Sequence, residues 1–162
     1  MTLEPYFATP RGKAYLSSIE DFLNSKKAAA LKGRVNLILT SPPYPLLIPK
    51  KYGNMKGAEY LNWMSDLSKG LAELLTEDGS MVVEIGNAWD KKAPTMSTLP
   101  LETLISIAKS AELNICQQMI WNNPGKLPGP AYWVNVMRER VTDSFTHIWW
   151  YSKSEHPKAN NK

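Results

Sequence analysis

The stretch Val35-Asn36-Leu37-Ile38-Leu39-Thr40-Ser41-Pro42-Pro43-Tyr44 constrains the fold most, because an apolar, β-branched run stops there at two prolines. From Val35 to Leu39 four of five residues are apolar, without alternation. That pattern predicts a strand of a parallel sheet with helices over both of its faces. Neither proline can donate a ladder hydrogen bond, and Pro43 holds Pro42 in an extended conformation. The strand therefore ends in a stiff turn whose main-chain carbonyls point in set directions. Ligands of open α/β sheets sit beyond the carboxyl ends of the strands. A hydroxyl, two prolines and an aromatic ring are thus expected where such sheets do their chemistry.

The rest of the chain supplies layers around that strand. Residues 2–13 are polar and broken by prolines, which predicts a surface segment. Residues 14–17 read as a short strand. Ser18 reads as the N-cap of a helix with Glu20 and Asp21 in its first turn, where the helix dipole favours them. Over 58–75, Tyr60, Leu61, Met64, Leu67, Leu71, Leu74 and Leu75 recur at intervals that put them on one helix face. Glu77-Asp78-Gly79 should end this helix, and 80–87 reads as a second buried strand. Strand, helix and strand make a right-handed crossover unit. Glu84, the only charge in the second strand, either faces a pocket at the strand end or pairs with a neighbouring side chain.

A further helix is expected over 101–113, with Leu101, Leu104, Ile105 and Ala108 facing the sheet. Residues 115–121 alternate in their middle and predict a strand near the sheet edge. Residues 144–151 predict the last strand, with Trp149 and Trp150 on opposite faces. Cys116 reads as a small packing residue, and His147 as a hydrogen-bonded structural group rather than a catalyst.

At 162 residues the chain is one domain's worth and long enough to bury a substantial core. A content of 43% hydrophobic residues, with six tryptophans, is globular rather than disordered. Nineteen basic against fifteen acidic side chains leave +4, a mild bias compatible with a polyanionic partner but common among soluble domains. One cysteine and two histidines give no internal disulfide and no metal-ligand cluster, which predicts a reducing compartment and no metal. No apolar run approaches a membrane span and no signal-peptide core opens the chain, so a cytoplasmic location away from membranes is expected. Lys50, Lys51 and Lys56 fall in an aperiodic segment over 45–57 with Gly53 and Gly57 as possible hinges. These lysines either contact phosphate oxygens or serve solubility. Arg138 and Arg140 flank Glu139 and either bind phosphates bidentately or pair with that carboxylate.

Ser41-Pro42-Pro43-Tyr44, led by Thr40, closely resembles the catalytic motif of amino-group DNA methyltransferases, in the serine form of the cytosine-N4 branch. Gly86-Asn87-Ala88-Trp89, Trp121-Asn122-Asn123-Pro124 and the run from Arg140 to Lys153 resemble the same family in the same order. The resemblance implies an α/β fold: part of a Rossmann-like class I methyltransferase sheet, mostly parallel, with an antiparallel hairpin at the C-terminal end. It also implies that a cytosine is flipped out of duplex DNA and that its exocyclic N4 takes the methyl group of S-adenosylmethionine. The lone pair of that amine is delocalised into the ring, and it becomes nucleophilic when its hydrogens are held out of the conjugated geometry. The implied roles follow. The Pro42 carbonyl and the Ser41 hydroxyl accept those hydrogens, Pro43 stiffens the turn, and Tyr44 stacks on the flipped ring for ~1–3 kcal/mol. Adenine-N6 methylation by the same fold, and a non-enzymatic DNA-binding module that keeps the tetrapeptide as a structural turn, are the competing readings.

The resemblance covers nearly the whole chain yet only part of the family pattern. Such enzymes hold the methionine end of the cofactor on a glycine-rich turn at a helix start. This chain has no Gly-x-Gly, which leaves Thr40 as the one residue of the motif region assigned to the cofactor. Residues 1–154 then form the catalytic half of a methyltransferase domain, and 155–162 a polar tail leading to a missing region. Duplex DNA and a second polypeptide, carrying the cofactor-binding and target-recognition half, are the partners that this implies.

Overall fold

The computed structural model describes residues 3–44, 55–90, 92–127 and 129–160. The chain enters through a small antiparallel hairpin, β1 (Phe7–Thr9) and β2 (Gly12–Ala14), with Phe7 opposite Ala14. The strand expected over 14–17 therefore forms earlier, and it pairs with its own hairpin partner rather than with the main sheet. Two short helices follow. Ser18 caps α1 (Ile19–Leu23), as the sequence indicated, its hydroxyl accepting from the Asp21 N–H at 3.1 Å. Ser25 caps α2 (Lys26–Leu31) in the same way through Ala28. Each cap satisfies one donor that a helix start leaves unpaired.

The main layer then builds in order: β3 (Val35–Thr40), α3 (Gly57–Leu74), β4 (Leu75–Gly86), α4 (Leu99–Ser110), β5 (Asn114–Asn122), a π-helical turn over Tyr132–Val136, and β6 (Phe145–Ser152). The four strands lie in the order β3-β4-β6-β5. β3 and β4 are parallel, and β6 runs antiparallel to both of its neighbours, so β5 points the same way as β3 and β4. This is the mostly parallel sheet with a terminal antiparallel pair that the resemblance implied.

Helices cover one face. The buried stripe of α3 contains Tyr60, Met64, Leu67, Leu71 and Leu74. With Leu104 and Ile107 of α4 it encloses Met81, Val83 and Ile85 of β4 and Tyr151 of β6, whose hydroxyl donates to the Leu104 carbonyl at 2.9 Å. Burying each such aliphatic side chain contributes ~1.5–3 kcal/mol. The buried face of α4 is rotated from the expected one: Ile105 is 43% exposed, whereas Thr103 and Ile107 are buried. Thr103 is tolerated there because its hydroxyl donates to the Leu99 carbonyl at 2.7 Å.

Among the described residues no helix covers the opposite face, which is most open along β3. Leu37 lies beside Ser80, Leu39 beside Val82, and Val82 beside Trp150, all pointing away from the helices. Leu37 and Leu39 are 59% and 72% exposed. β3 is thus an edge strand covered on one side, not the doubly covered strand that its composition predicted. A uniformly apolar run reports that both faces are meant to be covered, without saying whether the same chain supplies the cover.

α3 ends at Leu74, and Glu77-Asp78-Gly79 falls inside β4 rather than stopping the helix. The ladder jumps there from Val35–Leu75 to Leu37–Ser80, so the regular parallel pairing begins at Ser80. A Cβ at Gly79 would lie 2.9 Å from the Val35 carbonyl oxygen, so the excursion needs glycine. The tail returns to this corner. The Lys158 N–H donates to the Asp78 carbonyl at 2.9 Å, and Ala159 and Asn160 line a groove with Asn36 and Leu37.

Candidate active site

Beyond Thr40 the chain leaves the sheet, and 41–44 has no regular structure. Ser41 and Pro43 are exposed, Pro42 is buried and Tyr44 half-buried. Two side chains from different elements tie the turn down. Tyr60 of α3 donates its hydroxyl to the Pro43 carbonyl at 2.7 Å. Tyr44 donates its own to Glu84 Oε1 at 2.5 Å. Glu84 lies between Val83 and Ile85, which point into the core, so it rises from the opposite face of β4. Of the two alternatives read for Glu84, pairing with a neighbouring side chain is the one observed, and that partner is the last residue of the turn. The Tyr44 ring lies on Gly86, where a Cβ would come within 2.7 Å of Cε2. Burial, and next the hydrogen bond to Glu84, push the Tyr44 hydroxyl up to about 12. Burial pushes Tyr60 up as well, so both are protonated donors at neutral pH.

The turn opens on a cavity of about 460 Å³, walled by Thr40, Ser41, Pro42 and Pro43 on one side and by Ser18 and Trp63 on the other. The Trp63 indole N–H donates to Glu20 at 2.6 Å and so ties α3 to the start of α1 across this hollow.

A polar network underlies the carboxyl end of β4. Asp143 accepts from Lys126 at 2.9 Å, from the Asn87 amide at 3.3 Å and from the Trp89 indole at 3.4 Å. His147 Nε2 lies 3.0 Å from Asn87 Oδ1, and its Nδ1 lies 3.0 Å from Gln118 Nε2. One proton arrangement satisfies this chain: Gln118 donates to Nδ1, and Nε2–H donates to Asn87. His147 is the hydrogen-bonded structural group that the sequence indicated, and burial pushes its pKa down. Burial alone would raise Asp143, but Lys126, the Phe145 N–H and Asn87 together hold its carboxyl below the ordinary value.

The basic candidates part company. The Arg140 guanidinium stacks on Trp89, 3.6 Å from the ring centroid, and donates to the Gly129 carbonyl at 2.5 Å. Among the described residues Glu139 pairs with neither arginine. Arg138 is exposed, in the left-handed region at φ 58. Lys50, Lys51 and Gly53 fall outside the described residues. Cys116 is half-buried rather than buried, and burial pushes its thiol up, away from the thiolate. Among the described residues no group of three His, Cys, Asp or Glu side chains converges, and no helix is long and apolar enough to cross a membrane.

Two residues at this site were not singled out by sequence. Tyr60 reads as one more member of an apolar stripe, because its hydroxyl leaves no mark on helical spacing. Asp143 collects partners 17 and 56 positions away, a convergence that no local pattern announces.

A strand ending in a serine-proline-proline-tyrosine turn, a crossover helix and a reversed last strand define part of an amino-group methyltransferase sheet. The DNA methylase family of N6/N4 type matches residues 35–162, and the chain belongs to it. It is 34% identical over 157 residues to the Type II methyltransferase M.PvuII of Proteus hauseri, a match covering 97% of this chain and 46% of that protein. The solved PvuII DNA methyltransferase (cytosine-N4-specific) superposes with a TM-score of 0.83 at 34% identity, over 96% of this chain and 54% of that one. A Thermus thermophilus protein described as a DNA modification methylase, solved with S-adenosyl-L-methionine, shares the fold at a TM-score of 0.60 and 14% identity, over 91% of this chain and 55% of that one. The chain thus spans about half the length of the relatives it matches.

Proposed function

We propose that the chain is the catalytic half of a site-specific DNA methyltransferase that acts on the exocyclic N4 of a cytosine flipped out of duplex DNA, with S-adenosylmethionine as methyl donor. The observation that carries this reading is the position of Ser41–Tyr44: a partly exposed turn at the carboxyl end of β3, opening on a cavity, in a chain 34% identical to M.PvuII. Ser41 is exposed, with its side chain beside the Tyr44 hydroxyl. The Pro43 carbonyl is taken by Tyr60, whereas the Pro42 carbonyl accepts no hydrogen bond among the described residues. Ser41 and Pro42 accordingly accept the two amine hydrogens, which frees the nitrogen lone pair and stabilises the charge that develops on nitrogen. Tyr44 stacks on the flipped ring, and Pro43 keeps the turn stiff.

When bound, S-adenosylmethionine supplies an electrophilic methyl group on a sulfonium. The residues present fit it in part. Thr40 and Ser41 give one wall of the cavity, and no Gly-x-Gly turn offers backbone N–H groups to its methionine end. A second polypeptide carrying the cofactor-binding and target-recognition half completes the site in this reading. The half-length match, the free edge of β3 and the exposed Leu37 and Leu39 all support such a partner. Residues 1–154 are then the catalytic half, and 155–162 a polar tail beside it. Exposed Arg138, with Lys50 and Lys51, supplies phosphate contacts, whereas Arg140 has its Nε and Nη1 buried and its Nη2 on the Gly129 carbonyl and so shapes the site instead. A cytoplasmic location fits a chain with one unpaired cysteine.

The test is a chimera in which this chain replaces the matched part of M.PvuII, incubated with duplex DNA and S-adenosylmethionine. Mass spectrometry of the digested nucleosides should detect N4-methylcytosine. Ser41→Ala should lower its yield about tenfold or more without altering the circular dichroism spectrum. N6-methyladenine in its place would transfer the assignment to the adenine branch, and no methylated base from a folded chimera would favour a non-catalytic module.

A further inference from the structure

We infer that Tyr60 and Glu84 are positioning residues for methyl transfer, gripping the Ser41–Tyr44 turn from its two sides so that the Pro42 carbonyl, rather than that of Pro43, is left to meet the amine. The inference takes its chemistry from the proposed function and its geometry from the turn itself.

The turn cannot hold this orientation unaided. Pro42 and Pro43 have no N–H to donate, and among the described residues no ladder reaches past Thr40. Proline fixes φ but leaves ψ to be set, and ψ decides where each carbonyl points. Tyr60 sets it at Pro43. Its ring is 2% exposed, packed on the covered side of the sheet and tilted against Trp63 with centroids 5.7 Å apart, so its hydroxyl has little freedom. Donating to the Pro43 carbonyl satisfies a buried hydroxyl that would otherwise cost ~1–3 kcal/mol, and it withdraws that carbonyl from competition for the amine.

Glu84 acts from the other face. Its backbone is fixed by antiparallel pairing to β6, where it stands opposite Ile148, one residue beyond the last β3–β4 pair, Thr40–Val83. The Tyr44 hydroxyl reaches it across Gly86, the one residue type that lets the ring lie so close to β4. A turn that served only to end a strand would need neither hydroxyl, since two prolines already do that. A misplacement near 1 Å at a reacting group can cost about a hundredfold in rate, so anchoring from both faces matches what transfer to a weak nucleophile requires.

Two measurements separate this inference from the reading on which it rests. In the chimera, Tyr60→Phe and Glu84→Ala should each lower kcat about tenfold or more while the KM for S-adenosylmethionine stays within about twofold. Glu84→Gln, whose amide oxygen still accepts from Tyr44, should recover most of the loss. In the 162-residue chain alone, ultraviolet titration assigned by difference with Tyr44→Phe should show the Tyr44 hydroxyl ionising well above 10 and moving down in Glu84→Ala. Carbonyl-13C labelling of proline should show the Pro43 signal shifting in Tyr60→Phe while that of Pro42 stays. Thermal melts close to wild type will show that each variant folds. Unchanged kcat in Tyr60→Phe and Glu84→Ala overturns the inference, as does a Tyr44 titration indifferent to Glu84 or a Pro43 signal indifferent to Tyr60. A wild-type chimera without methylation overturns the proposed function, while the titration and the proline signals still decide the grip.

Discussion

His147 holds its proton on Nε2 because both neighbours require it: Asn87 Oδ1 needs a donor and the Gln118 amide needs an acceptor. Protonating Nδ1 would set two donors against each other in a buried site. The folded state therefore resists the proton, with burial the first cause, while the unfolded chain takes it up near the ordinary 6.5 or so. Between the depressed folded value and about 6.5 the unfolded state binds more protons, and stability must fall as pH falls through that window. Asp143 adds a second decline at lower pH. Its depressed folded pKa contributes stability that is present above the unfolded value near 3.9 and is lost as pH falls through the folded one. Urea midpoints measured from pH 8 to pH 5 should therefore decrease, and His147→Gln should flatten that first decline. A wild-type curve flat over this range would mean that the imidazole accepts its second proton freely. At this scale the sequence was readable where chemistry is contiguous, as in Ser41 to Tyr44. It was mute where a site is assembled from distant side chains, as with Tyr60 and Asp143.

Single elements tell a related story. The stripe of α3 and the N-cap at Ser18 were legible because helical period and capping chemistry are local. The rotated face of α4 was not, because Thr103 is buried by a hydrogen bond to Leu99 that hydropathy does not register. β3 was misread in the most informative way. Its apolar run describes a strand covered on both faces, and Leu37 and Leu39 stand largely exposed. If the open face of β3 receives the partner half, replacing both leucines with threonine should change the unfolding free energy of the isolated chain by no more than ~0.5 kcal/mol. The same double variant should sediment as a cleaner monomer than the wild type. It should also bind the part of M.PvuII outside the matched region about tenfold more weakly or worse. A double variant that unfolds more easily by several kcal/mol would instead mean that these side chains already have partners within the chain.

For the molecule as a whole, the limiting quantity in the proposed function is half a cofactor site. The cavity beside Thr40 offers hydroxyls and apolar walls on one side, and no glycine-rich turn is encoded anywhere in the chain. A ligand stabilises a folded protein in proportion to the logarithm of its occupancy, by about 2.7 kcal/mol at a concentration a hundredfold above Kd. S-adenosylmethionine alone should therefore leave the melting temperature of the 162-residue chain unmoved, and calorimetry should register no saturable heat. If the second polypeptide docks on the open face of β3, as proposed, adding the part of M.PvuII outside the matched region should raise the melting temperature with its concentration. S-adenosylmethionine should then raise it further, and a saturable heat should appear. The order of addition is decisive: a cofactor effect that requires the second polypeptide locates the missing backbone donors there. Saturable binding of S-adenosylmethionine to the chain alone would show instead that the hollow beside Thr40 suffices, and that the open face of β3 has another use.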